Sequence, residues 1–222
     1  MSGNQSEENR SEESRSAENR TIEDYIQAQR FALLSTPDCG NTHYNLATAL
    51  LSIRNIEEAE REFKEAVKCS PNLAEAYVQL GGICLQRGDL DGCLAYNRQA
   101  ITARPRFAEG YGNIGFVLMQ KGDYEKAIEF LKKAVKFNEY FIQGLATLAN
   151  AYLFNGQIEE SIETNLKALK IDENFALAHN NLAIAYLEKG EPAKAVAHCD
   201  KARQLGYEVA PQIVQEIESH RQ

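Results

Sequence analysis

Five cysteines and four histidines are the residues of this sequence best suited to metal, redox or nucleophilic chemistry. The cysteines (Cys39, Cys69, Cys84, Cys93 and Cys199) are odd in number and widely spaced, with no Cys-x-x-Cys pair and no cysteine–histidine cluster at zinc spacing. That spacing argues against a metal centre and a disulfide framework, and makes small buried free thiols in a reducing compartment the expectation. No serine, cysteine or carboxylate is spaced to complete a triad or ligand set with His43 or His179, so both are expected to be structural. Ser6, Ser11, Ser14 and Ser16 sit in three near-copies of a polar pentad, SEENR, SEESR and SAENR, with no large apolar side chain to pack. Residues 1–20 therefore read as a disordered polar tail, with docking or phosphorylation as its functional alternative. No catalytic residue, cofactor or metal ligand is expected.

The elements that carry these residues are predicted to be helices. Tryptophan is absent and proline scarce, while alanine, leucine, glutamate and lysine are plentiful. With 44% hydrophobic and 25% charged residues the chain can bury a substantial core. Its formal net charge of -8 opposes the basic footprint that phosphate neutralisation requires, so neither nucleic acid nor an anionic membrane is an expected partner. No apolar run approaches the ~20 residues of a membrane span, and the N-terminus has neither the basic start nor the apolar stretch of a signal peptide. A cytoplasmic protein is expected.

Written in rows of 34, residues 40–209 align without insertion or deletion, the rows starting at Gly40, Ala74, Ala108, Ile142 and Ala176. Column 27 is alanine throughout (Ala66, Ala100, Ala134, Ala168, Ala202), and column 8 is always small (Ala47, Gly81, Gly115, Ala149, Ala183). Column 20 (Ala59, Cys93, Ala127, Ser161, Ala195) is also small, and column 15 is glycine except at Arg54. In each row, columns 2–14 and 17–31 carry apolar residues at helical spacing, separated by dipeptides such as Gly-Asp, Gly-Gln or Gly-Glu that stop one helix and cap the next. Each row is thus predicted to be an antiparallel helical hairpin, with column 11 opposite 20, 7 or 8 opposite 24, and 4 opposite 27. Cys84 and Cys93 fall at columns 11 and 20 of the second row and are expected to touch as buried thiols. One hairpin cannot bury both of its faces, so the rows must stack.

This pattern resembles the tetratricopeptide repeat family, whose signature of a large residue, Leu-Gly, a tyrosine, an alanine, an aromatic and a proline recurs every 34 residues. The resemblance implies an all-α, right-handed superhelix (an α-solenoid) of five 34-residue helical hairpins, with an N-terminal half-repeat helix and a C-terminal capping helix. The expected organisation is a tail at 1–20, the half-repeat helix at 21–39, repeats at 40–73, 74–107, 108–141, 142–175 and 176–209, and the cap at 210–222. Ile213, Val214 and Ile217 are expected to point from the cap toward the last hairpin. Pro71 and Pro105 match the family proline at column 32, whereas Glu139, Glu173 and Tyr207 replace it later, so those turns are expected to be more helical.

In this family the first helix of each hairpin lines a concave face, with columns 2, 5, 6, 9, 12 and 13 toward the ligand. Carried over, the resemblance implies a peptide-binding groove containing Tyr44, Asn45, Thr48, Val78, Gln79, Asn113, Phe116, Asn150, Asn180, Asn181 and Ile184. The carboxamides of Asn45, Gln79, Asn113 and Asn181 can bond an extended peptide backbone whatever its sequence. They resemble the asparagine ladder in the repeat domain of O-GlcNAc transferases; bonding between neighbouring helices is the alternative. Tyr44 and Phe116 are the expected apolar anchors, with packing between adjacent hairpins as the alternative for either. Columns 2, 5 and 6 hold no lysine or arginine, unlike the similar repeat domains that clamp the C-terminal carboxylate of heat-shock chaperones, so such a clamp is excluded. Glu75 and Glu109 at column 2 are expected either to bias the groove toward neutral or basic ligands or simply to favour the N-termini of their helices. The expected function is that of a non-catalytic, monomeric adaptor binding a neutral or basic peptide segment or helix of another protein. The alternative is a self-assembling structural scaffold that uses the solenoid ends or the convex face.

Overall fold

The computed structural model describes residues 21–219, so the expected tail at 1–20 and the last three residues lie outside it. Residues 21–35 form helix α1. There follow α2 (Gly40–Ser52), α3 (Ile56–Cys69), α4 (Ala74–Gln86), α5 (Leu90–Ala103), α6 (Ala108–Gln120) and α7 (Tyr124–Phe137). The rest are α8 (Ile142–Phe154), α9 (Ile158–Ile171), α10 (Ala176–Glu188), α11 (Pro192–Gln204) and α12 (Pro211–Ser219). No strand occurs among the described residues. The fold is all-α and solenoid-like, and the chain divides into two compact units at Arg104 and Pro105. The first holds α1 and the hairpins α2–α3 and α4–α5; the second holds α6–α7, α8–α9, α10–α11 and α12.

Every hairpin turns in the same way. Gly88, Gly122, Gly156 and Gly190 all have φ between 75° and 78°, a left-handed conformation that only glycine adopts without strain. Arg54 adopts it too, at φ 62°. The following amide then reaches back to the last turn of the first helix, as in Asp89 N–H to Cys84 C=O at 2.9 Å and Glu191 N–H to Tyr186 C=O at 2.8 Å. Asn55, Asp89 and Asp123 cap the next helix, accepting from Glu58, Gly92 and Lys126 backbone amides. Gln157 and Glu191 occupy the same position without a capping bond, because their side chains are a methylene too long for that loop. The turns lacking the column-32 proline are no more helical: α7 and α9 have 14 residues, as α3 and α5 do. Asn138 and Asp172 close those turns instead, each accepting from the backbone amide two residues on. The last hairpin does differ, since α11 stops at Gly206, φ 81°, with Tyr207 N–H bonded to Ala202 C=O.

The small columns mark where helices touch. All five column-27 alanines are fully buried, and the Cβ that Gly115 lacks would collide with Leu131 across the hairpin. The Cβ that Gly81 lacks would likewise meet the amide of Asn97. In the first unit Leu46, Leu50, Phe63, Leu80 and Ile83 form one core that Ile26 of α1 joins. In the second, separate clusters centre on Leu131 and Leu148, on Leu182 and Tyr186, and on Cys199 beneath Val209 and Ile217. Ile217 of α12 is fully buried, with Ile213 and Val214 packed beside it.

Candidate binding surface

The first helices of the hairpins carry all the residues expected at a groove, and the structure sorts them into hollow-lining, half-buried and inward-facing groups. In the first unit Tyr44, Asn45 and Thr48 of α2 line a hollow of about 340 Å³ together with Tyr25 of α1. Tyr44 is half-buried because its ring packs on Phe63, centroids 5.6 Å apart, so only part of it is free to act as an anchor. Asn45 is exposed. Val78 and Gln79 on α4 are half-buried and lie outside that hollow. Glu75 is not a free carboxylate: burial raises its pKa, but the Arg104 guanidinium at 2.6 Å outweighs this and holds it below the usual range. The expected acidic bias of column 2 is cancelled there by a contact with a residue 29 positions later.

In the second unit Asn150, Asn180, Asn181 and Ile184 line a hollow of about 530 Å³ between α8 and α10. Asn113 and Phe116 on α6 are half-buried and outside it. Asn181 is only 2% exposed and turns toward the preceding hairpin, donating to the Asn165 carboxamide of α9 at 3.5 Å. Here column 6 bonds a neighbouring helix, the alternative to ligand contact. Asn180 is nearly buried as well, at 9%. Phe154 and Tyr207, which complete this hollow, were not anticipated. Phe154 stands at column 13, one of the columns the family turns toward ligand, so its position was available; Tyr207 replaces a turn proline and carried no signal.

The histidines are engaged structurally. His43 bonds Glu62 at 2.6 Å through Nδ1 and the Pro37 carbonyl at 2.8 Å through Nε2. A single carboxylate reaches His43 because column 23 lies beside column 4 across the hairpin. Both partners are acceptors, an arrangement that favours the doubly protonated ring; burial pushes its pKa down, and Glu62 and Pro37 push it up by more. His179 bonds the Glu173 carbonyl at 3.0 Å and, through Nδ1, Nδ1 of His198 at 2.9 Å. Burial and the neighbouring His179 push His198 down to about 4, and its ring stacks on Tyr186. Cys93 is pushed up to about 11, chiefly by burial and then by the adjacent Cys84. All five cysteines are free thiols, but only Cys93 and Cys199 are buried as expected; Cys39, Cys69 and Cys84 are half-buried. Among the described residues no three histidine, cysteine or acidic side chains cluster as metal ligands, and no helix is long and apolar enough to cross a membrane. What these surfaces offer is amide hydrogen bonding beside open apolar hollows.

Models described as tetratricopeptide repeat match residues 44–106 and 108–141, and one described as TPR repeat matches 149–190. No curated protein sequence matches the chain. Among solved structures, YrrB, described as a TPR protein with an unusual peptide-binding site, is similar at a TM-score of 0.69 and 19% identity, covering 87% of this chain and 99% of its own. MamA from Desulfovibrio magneticus RS-1 is similar at 0.65 and 24% identity, over 75% of this chain and 94% of its own. PilW, a type IV pilus biogenesis factor, is similar at 0.70 and 17% identity, over 82% and 91%. With repeat models matched in both units and over well more than half of its length, the chain belongs to the tetratricopeptide repeat family.

Proposed function

We propose that this protein is a non-catalytic binding module that holds a neutral or basic peptide or helix of another protein against the first helices of its hairpins. The observation that carries the reading is the pair of open hollows on those helices, where carboxamides stand beside incompletely covered aromatic rings. Amides satisfy a peptide backbone, and exposed aromatics supply contact area at low entropic cost. A peptide-binding site in the similar YrrB supports the reading by analogy of fold. The proposed module works as a monomer in a reducing cytoplasm, consistent with its free thiols.

Site-specific photo-crosslinking tests it. A crosslinker at Thr48, Asn113 or Asn150 should capture partner, whereas one at Lys133 or Lys167 on the second helices should not. Capture from the second-helix positions alone would refute the groove reading. The scaffold alternative draws on Phe31 and Leu34 of α1, which are 72% and 80% exposed. Light scattering decides between the two: oligomers of the purified chain at roughly tens of micromolar would favour the scaffold.

A further inference from the structure

The hollow between α8 and α10 combines features that select a particular side chain. Its walls are apolar, formed by Leu153, Ile158, Leu177 and Ile184. At one side stands Phe154, 61% exposed, its ring fixed by parallel stacking on Tyr124 at 5.6 Å and 14°. At the end of α10 stands Glu188, an exposed carboxylate with no ion pair among the described residues. The adjacent Lys189 does not serve it, lying 3.7 Å from Glu159 and 3.4 Å from Glu191. Among the described residues no basic side chain lines the hollow.

A pre-positioned aromatic ring and an uncompensated carboxylate on the rim of one apolar hollow are complementary to a guanidinium on an aliphatic stem. The planar cation stacks on the ring and offers paired N–H donors to the carboxylate, while its three methylenes cover apolar wall. An acidic side chain would meet Glu188 as a like charge, and a leucine would use the wall alone. The chain's net charge of -8 also favours the approach of a cationic segment.

We infer that this hollow seats an arginine side chain of a bound peptide, with the guanidinium between Phe154 and Glu188 and the flanking backbone bonded by Asn150 and Asn180. The inference rests on the reading of the first helices as a peptide-binding face, and names what one part of that face selects.

The test is an NMR titration of the isotope-labelled full chain with capped pentapeptides carrying arginine, lysine, leucine or glutamate between paired alanines. The arginine peptide should shift the amide resonances of Phe154, Asn180 and Glu188, and bind about fivefold more tightly than the leucine peptide. Glu188→Gln should cut that advantage to about twofold, the part left to stacking on Phe154, and Glu188→Lys should transfer the preference to the glutamate peptide. Since Glu188 is exposed, both variants should melt within about 2 °C of the wild type. Equal binding of the arginine and leucine peptides by the wild type, or an arginine advantage undiminished in Glu188→Gln, overturns the inference and leaves the peptide-binding face intact. If none of the four peptides shifts any resonance of the hollow, both readings fail at this site.

Discussion

Single side chains already make sharp demands in this protein. The Ser161 hydroxyl is fully buried at column 20, where other rows place alanine or cysteine, and it makes no hydrogen bond among the described residues. A buried hydroxyl without a partner forfeits its hydration for nothing, so Ser161→Ala should stabilise the fold by about 1 kcal/mol, read as a higher urea midpoint at unchanged slope. A lower midpoint would mean that the hydroxyl has a partner. The histidines set opposing pH dependences. His198, held near 4 when folded, is neutral where the unfolded chain would take up a proton, so its stability is complete above about pH 6.5 and drains away as pH falls toward 4. Allowing for partial exposure, the loss should be roughly 2 kcal/mol. His43 works the other way: its pKa is raised, so the Glu62 contact contributes fully below about pH 6.5 and is lost as pH rises through the folded value. Denaturation midpoints measured across that range should show a flatter acid limb for His198→Asn and a flatter alkaline limb for His43→Asn. Unchanged limbs in both variants would show that other groups control the titration.

At the scale of helices, two helical glycines of equal propensity should respond in opposite ways. Gly82 faces open space in α4, so Gly82→Ala should gain the usual ~0.5–1 kcal/mol of helix preference. Gly115→Ala gains the same propensity but drives its new Cβ into fully buried Leu131, and should destabilise by about 1–3 kcal/mol. Thermal melts that moved together would contradict the close approach of α6 and α7. This approach was legible in the sequence because steric exclusion leaves a periodic mark: columns 8, 20 and 27 are small wherever two helices meet. The glycines of column 15 were legible for the same reason, as a backbone requirement, and Arg54 shows that one violation is tolerated. Side-chain direction left no such mark. Asn181 shares a column with exposed Asn45 yet is buried and donates to Asn165, because Asn165, at column 24 of the preceding row, stands within its reach. The ion pair of Glu75 with Arg104 was equally hidden, since rotamer choice decides it rather than spacing.

For the whole molecule, the division at Arg104 and Pro105 separates units of unequal self-sufficiency. Solenoid stability is approximately a sum of intrinsic repeat terms and nearest-neighbour interfaces, and about three stacked repeats are needed for independent folding. The second unit has three hairpins, and α12 closes its last one by burying Ile217 and packing Ile213 and Val214. The first has two hairpins, covered on one side by α1 through Ile26. A fragment comprising residues 105–222 should therefore be helical by far-UV circular dichroism and melt cooperatively, whereas residues 1–104 alone should be marginal. Every residue lining the hollow between α8 and α10 belongs to the second unit, so the fragment should also keep the arginine-peptide affinity within about twofold of the full chain. A 105–222 fragment that is unfolded would show that the first unit supplies stability the second cannot generate. One that folds but loses the peptide would place a necessary contact in the first unit, beyond the residues that line the hollow.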